Sequence, residues 1–502
     1  MTSLEKLKAG ARFIIGVDVG GTFTDLFFLD QKTGKVFTDK LPSTVDDQSV
    51  GLIEGILRQL KSFSDINTIV HGTTVGTNAL LERKGGKTGL ITTSGFEDVL
   101  EMRRRDRPNT WGLRGNYSPV IRRDLRLGVS ERTLASGKVE KELDKNAVST
   151  AAQNLIEAGC EAVCIAFINS YANATNEQQA AEIVRTVWPN NHITVSSSIL
   201  PEIREFERVS TSVLNAYLQP RMAWYLKRLD EQMKSQAFTG NILIVQSNGG
   251  LMSLPSAADQ PVRTALSGPA AGVIAANFIG QNAGVDDIVT CDMGGTSFDV
   301  SLIASGRSAL AAQTAIDFGM VVRMPMIEIN TIGAGGGSIA WIDSAGLLQI
   351  GPKSAGSNPG PACYGLGNND PTVTDANLVL GRINANKPMG RKLDRLNVEF
   401  ARRSIKKKIG DPLSISEMEA AEAIIQVANA RMAGAIRIVS IERGYNPANL
   451  CHQLRHHPHH ALARDQRHRR QTGRAQQLAR RARARGAAAG RTKRTSGKRR
   501  RS

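Results

Sequence analysis

The sequence is poor in the features that most directly announce a function. Aromatic residues make up only 5% of its 502 residues, few for a protein that stacks nucleic-acid bases. No CxxC pair occurs, and the five cysteines, Cys160, Cys164, Cys291, Cys363 and Cys451, are odd in number and scattered. Cys160 and Cys164 straddle an expected helix end and a buried strand. They read as free core thiols rather than metal ligands, in a reducing compartment. The pattern G-x-x-x-x-G-K-[ST] is missing, which disfavours P-loop chemistry. No apolar run approaches the roughly 20 residues of a membrane span. The apolar stretch at 13–17 is too short for the core of a secretion signal. The expectation is a cytoplasmic protein without a membrane partner.

A balanced charge is also lacking, but only locally. The net charge is +18, yet residues 451–502 hold 17 Lys and Arg against one acid, Asp465, so the first 450 residues carry only +2. The body has no basic excess, and nucleic acid is not expected as a partner. The tail holds six of the eight histidines and almost no large apolar residues. It cannot build a core and is expected to be disordered.

Glycine is plentiful, with 48 residues, and its placement is informative. Residues 18–25 (DVGGTFTD) and 292–299 (DMGGTSFD) share D-x-G-G-T-x-x-D. Strand-like apolar runs flank each copy, at 13–17 and 26–29, and at 288–291 and 300–303. Strand, glycine turn, strand predicts a β-hairpin with a ligand at its tip. Two copies predict two related domains facing one cleft. Gly-Gly-Thr offers bare amides and a hydroxyl to a polyphosphate, and an aspartate at the strand end suits hydrated Mg²⁺. Asp18 and Asp292 are therefore the candidate catalytic and metal residues. Gly20, Gly21, Thr22 and Thr24, with Gly294, Gly295 and Thr296, are the candidate polyphosphate-binding residues.

Other segments read as an α/β alternation. Helices are expected near 50–63, 147–158, 174–187 and 209–233, and strands near 66–71, 88–92, 162–168, 193–197 and 242–246. Residues 71–78 (HGTTVGTN) follow a strand. His71, Thr73 and Thr74 are candidates for substrate contact, or the segment is a helix start with a satisfied histidine. Residues 333–338 read either as a further nucleotide loop, with Gly335, Gly336 and Gly337 on the cofactor, or as a close approach to a neighbouring strand. Residues 351–375 read as an extended loop. Ser416 and Glu419 form a capping box ahead of an apolar stripe of Met418, Ala421, Ile425, Ala428, Met432 and Ile436. The charged cluster Glu202, Arg204, Glu205, Glu207, Arg208 reads as a solvated face or a hinge. The basic run 103–107 reads as a solvated loop or a contact for an acidic group.

On these motifs the chain resembles the A-type subunits of the hydantoinase/oxoprolinase family. The resemblance rests on residues 16–25 (GVDVGGTFTD), 71–78, 247–250 (SNGG), 266–272 (LSGPAAG), 292–299, 331–340 (TIGAGGGSIA) and 356–377. It implies an α/β, two-domain actin-like or sugar-kinase-like ATPase fold. It also implies ATP- and Mg²⁺-dependent opening of a cyclic amide with a B-type partner subunit or domain, or an acetone-carboxylase-like role. The implied layout is an extension at 1–12, an N-terminal domain at 13–205 and a core domain at 206–450. After residues 443–447 (RGYNP) the family pattern continues with a glycine-rich strand and turn, whereas this chain runs into its basic tail. The expectation is a truncated C-terminal part, with 451–502 read from a shifted frame. A catalytically inactive binding subunit then stands as the alternative.

Overall fold

A computed structural model describes residues 12–20, 23–44, 47–106, 117–356, 358–386, 395–447 and 450. Gly21, Thr22 and the tail at 451–502 lie outside the described residues.

Strands β1 (Phe13–Val19), β2 (Phe23–Asp30) and β3 (Val36–Pro42) form an antiparallel meander. Helix α1 (Gln48–Gln59), N-capped by Asp47, leads to β4 (Ile66–Thr73), which runs parallel to β1. Strand alternation assigns the faces. Phe13, Ile15, Val17 and Val19 are buried in one core with Leu52 and Ile56 of α1. Gly16 and Asp18 face the other way, onto an open cleft. Helix α2 (Val75–Leu81) follows β4.

A second sheet is wholly parallel. Its strands β5 (Thr88–Thr93), β6 (Arg126–Val129), β7 (Ala162–Ala166) and β8 (Ile193–Val195) lie in the order β8-β7-β5-β6. Parallel strands need cover, and α3 (Lys145–Glu157) and α4 (Thr175–Val187) provide Val148, Leu155 and Val184. Cys160 and Cys164 are free buried thiols in this core, as expected.

Helix α5 (Glu205–Ser235) joins the two sheets. Its 31 residues span about 46 Å at the usual helical rise. Val209 and Val213 enter the core of the parallel sheet, Leu214 and Leu218 a central cluster, and Met222, Leu226 and Leu229 the core of the first sheet. The helix is buried on all sides from Phe206 to Gln219, polar residues included, and on one side beyond that, where Arg221, Trp224, Lys227 and Arg228 are exposed. The expected division at 205–206 falls at its first turn. The solvated face expected at 202–208 is corrected in part: Glu202 and Arg204 are exposed, but the last two charges of the cluster are not. Arg208 is fully buried, donating to the Phe167 and Glu202 carbonyls, and Glu207 is buried and held bidentately by Arg104. Ions this deep require such partners.

Strands β9 (Asn241–Val245) and β10 (Leu251–Ser253) complete the first sheet, whose order is β10-β9-β4-β1-β2-β3. Helices α6 (Leu254–Asp259) and α7 (Ser267–Ala283) lead into the second half. There β11 (Ile288–Met293) and β12 (Phe298–Ala304) repeat the first hairpin in the same register. Asp292 lies opposite Asp299 as Asp18 lies opposite Asp25. A short hairpin of β13 (Thr314–Asp317) and β14 (Met320–Val322) packs on α5, and β15 (Asn330–Ile332) joins β12. The fold is thus α/β, with a related hairpin in each half.

The expected loop at 351–375 is corrected in part. β16 (Ser338–Ile342) pairs with β17 (Leu348–Ser354), and α8 (Val373–Val379) starts at a capping box of Thr372 and Asp375. That cap was hidden among glycines and prolines. Helix α9 (Glu417–Ser440) starts at Ser416 with the expected capping box to Glu419. Its buried stripe is Ala420, Ala421, Ile424, Ile425 and Ala428, while Met418 is exposed. The length and apolarity of α9 would also suit a membrane span, but this stripe is spent on the core it shares with α8.

Candidate functional site

The two aspartates of the repeat converge. Asp18 ends β1 with its carboxylate beside two bare backbones. A Cβ on Gly72 of β4 would lie 3.2 Å from its Oδ1, and one on Gly268 at the start of α7 would lie 3.4 Å away. Asp18 lines a cleft of about 700 Å³ together with Asp25, Lys40 and Gly72. Its pKa is raised to about 6, first by burial, then by the charges of Asp25 and Asp292, with Lys40 acting in the opposite sense. Its surface is accessible through the cleft mouth. The Asp292 contribution means that the second loop's carboxylate lies within electrostatic reach of Asp18.

The second loop is held from behind. Gly336 N–H donates to the Gly294 carbonyl at 3.0 Å, Gly337 N–H to Gly295 at 2.6 Å, and Gly335 N–H to Thr296 at 3.3 Å. Gly294 N–H closes the turn on the Ser297 carbonyl at 3.0 Å. Among the described residues, the amides of Gly295 and Thr296 have no acceptor, and both residues are exposed. Outward amides on a turn whose carbonyls are tied down form an anion-binding concavity. Gly335, Gly336 and Gly337 therefore lie under the loop, with their amides turned into it. Of the two readings of 333–338, this placement matches the close approach to neighbouring backbone.

The remaining candidates divide. Gly20 lies at the first turn, where its carbonyl accepts from Ser43 at 2.7 Å. Thr24 is fully buried and meets Ser43 Oγ at 3.1 Å, on the core side of β2. Thr74 donates to the Val19 carbonyl at 3.1 Å and ties the end of β4 to the first loop. Thr73 is buried and its carbonyl accepts from Ser267. His71 is fully buried on the core side, with Nε2 2.6 Å from the Tyr225 hydroxyl. Burial lowers its pKa to about 4, so it is neutral at pH 7. Its ring is in the core, whereas the next residue, Gly72, borders the cleft.

Four cleft or loop residues were not singled out from sequence: Asp25, Lys40, Asp299 and Thr331. Lys40 Nζ binds both oxygens of Asp25, at 2.8 and 2.7 Å. Thr331 Oγ1 donates to Asp299 at 2.5 Å, and Ser297 Oγ donates at 3.2 Å. Burial raises the Asp299 pKa, with Asp292 adding to the rise. The two acids are the last letter of the repeat and could have been noticed. Lys40 lies in no motif and Thr331 only opens the 331–340 segment, so it is strand pairing that brings them to the aspartates.

Comparison with known proteins identifies the family. The hydantoinase/oxoprolinase profile matches residues 208–452, and the hydantoinase/oxoprolinase N-terminal region profile matches residues 14–188. The chain belongs to the hydantoinase/oxoprolinase family. It is 39% identical over 448 residues to the caprolactamase subunit alpha of Pseudomonas jessenii, covering 87% of this chain and 64% of that protein. It is 30% identical over 461 residues to the acetone carboxylase beta subunit of Xanthobacter autotrophicus, covering 87% and 63%. A 5-oxoprolinase of Dictyostelium discoideum is 31% identical, covering 88% and 39%. Among solved structures, the ATP-dependent caprolactamase of Pseudomonas jessenii superposes with a TM-score of 0.75 at 39% identity, covering 86% of this chain and 64% of that one. Nucleotide-free acetone carboxylase gives a TM-score of 0.75 at 29% identity, covering 87% and 64%. The chain therefore spans under two thirds of the length of these relatives. The α/β fold expected from the motifs is the one these structures share.

Proposed function

We propose that this chain is the ATP-binding, A-type part of an enzyme that opens a cyclic amide by way of a phosphorylated intermediate. The observation that carries the reading is that Asp18, beside a glycine turn on an open cleft, lies within electrostatic reach of Asp292 beside the second glycine turn. The outward amides of Gly295 and Thr296, with Gly20 at the first turn, would cradle phosphate oxygens. The Asp292 charge raises the cost of ionising Asp18, and a divalent cation would relieve it. Among the described residues no group of three metal-ligating side chains occurs. Mg²⁺ takes one or two carboxylates and fills its remaining positions with water and phosphate. When bound it would neutralise charge on the phosphates; Asp18 and Asp292 would hold it.

The chemistry follows from a poor electrophile. Nitrogen donates into the lactam carbonyl and deactivates it. With a phosphoryl group on the oxygen, water adds to the carbon, and the ring C–N bond breaks with its electron pair leaving on a protonated nitrogen. A second water releases phosphate from the acyl phosphate. The chain's contribution is to place the nucleotide and stabilise charge with fixed dipoles. Relatives named as alpha, beta and gamma subunits support a multi-subunit assembly. A B-type subunit is proposed as the partner. A carboxylase reading, in which a ketone and bicarbonate replace the lactam, is favoured by the equal superposition on acetone carboxylase.

The test is phosphate release from Mg-ATP by this chain with its partner subunit. Lactams, 5-oxoproline and hydantoins should stimulate release, and Asp292→Ala should abolish it. Stimulation only by a ketone with bicarbonate would replace the first reading with the second. Full lactam-stimulated turnover in Asp292→Ala would remove Asp292 from the site.

A further inference from the structure

The two hairpins carry the same cross-strand row of residues except at one position. Lys40, Asp25, Asp18 and Gly72 form a row across four neighbouring strands, each residue opposite the next. All four line the cleft. The second half repeats the row, with Asp292 opposite Asp299 and Asp299 opposite Thr331. Thr331 thus stands where Lys40 stands in the first half. Both hold the cross-strand aspartate, but one brings a neutral hydroxyl and the other a full positive charge.

That charge sits where it matters. The acids lining the cleft are Asp18, Asp25 and Asp39, and the cation among the described lining residues is Lys40. A polyphosphate entering this space meets repulsion from the carboxylates, which amide dipoles offset only in part. Lys40 is about half exposed, at 43%, and Asp25 holds its ammonium with both oxygens. A lysine serves phosphate as a movable point charge on a flexible stem.

We propose that Lys40 is the cation that receives the terminal phosphoryl group of the nucleotide, with Asp25 as the counter-ion that holds it at the cleft. The proposal rests on the ATP reading above and goes beyond it, because it makes the two loops unequal. The first half handles the phosphoryl group in transfer, and the second half serves the rest of the nucleotide. In the transfer, the bond from the γ-phosphorus to the β,γ-bridging oxygen breaks, and the electron pair leaves with ADP. A bond from the γ-phosphorus to the substrate oxygen forms. Lys40 neither donates nor accepts a proton and acts by charge alone.

Equilibrium binding of Mg-ATP and of Mg-ADP to the full chain separates the possibilities without requiring turnover. Lys40→Met should weaken ATP about tenfold or more, the scale of one charge-assisted contact, and leave ADP within about twofold. Lys40→Arg should recover part of the ATP affinity. The double variant Lys40→Met/Asp25→Asn removes the orphaned carboxylate and should show the same ATP-selective loss, which separates the effect from misfolding. Equal weakening of both nucleotides, or of neither, overturns the assignment of Lys40 while leaving the ATP reading in place. A wild-type chain that binds neither nucleotide overturns both.

Discussion

His71 is a histidine that the fold keeps neutral. It lies under the first sheet with Nε2 on the Tyr225 hydroxyl, and burial lowers its pKa to about 4. In the unfolded chain it protonates near pH 6.5. The stability it contributes is fully present above that value and is lost as the pH falls towards 4. The shift corresponds to roughly 3 kcal/mol. His71→Gln removes this titration, so urea melts at pH 7 and pH 4.5 should differ less for the variant than for the wild type. Asp18 behaves in the opposite sense. Its raised pKa of about 6 means that ionisation costs stability as the pH rises through 6. Asp18→Asn should therefore stabilise the apo fold at pH 7.5, by on the order of 1 kcal/mol because the open cleft screens the charge, and should weaken Mg-ATP. An unchanged melting temperature at pH 7.5 would count against the raised pKa.

At the scale of elements, the glycines of 335–337 answer a packing need. A Cβ on Gly335 would lie 2.6 Å from the carbonyl carbon of Thr296 and 2.7 Å from that of Gly295. Backbone cannot yield as a side chain does. Gly335→Ala should cost about 1–3 kcal/mol and weaken nucleotide binding by displacing the loop. Gly434, within α9, meets nothing within 4 Å. Gly434→Ala should stabilise the protein by about 0.5–1 kcal/mol without touching nucleotide affinity. Thermal melts and ATP titrations of the two variants make the comparison. Equal tolerance of both would mean that the 335–337 run does not bear on the loop.

At the scale of the molecule, the hairpin β13–β14 reaches from the second half onto the first. Its tip residue Phe318 and Tyr117 enclose the Arg103 guanidinium, at 4.4 and 4.7 Å from the ring centroids. Gly319, with φ near +78°, leaves no room for a Cβ beside the Tyr117 ring. Arg83 reaches Asp317 at 3.2 Å and the Ser118 carbonyl at 2.8 Å, and Arg323 reaches Glu202 at 2.5 Å. The basic run at 103–107 is thus not simply a solvated loop: Arg103 and Arg104 are both engaged, while residue 107 lies outside the described residues. Desolvated cation–π contacts are worth about 2 kcal/mol. Arg103→Ala should lower stability by about that amount and speed hydrogen exchange in both 117–121 and 314–322. Faster exchange in one segment alone would mean that the hairpin is not a tie between the halves.

Much of the protein was legible in its sequence because the signals are local. A D-x-G-G-T-x-x-D repeat between apolar runs specifies two hairpins, and strand alternation then turns Asp18 away from the core that Val17 and Val19 enter. Ser416 and Glu419 mark a helix start by a contact three residues long. Charge counting separates a near-neutral body from a basic tail. What the sequence could not decide depends on residues that meet only after folding. His71 and Gly72 are neighbours in the chain, yet alternation sends one into the core and leaves the other at the cleft. The glycines at 335–337 resemble a ligand loop until their amides are seen to bind another loop's carbonyls. Lys40 acquires meaning only opposite Asp25, and Thr331 only opposite Asp299. Strand register is set by long-range pairing and burial, which is why tertiary structure alone distinguishes the two halves.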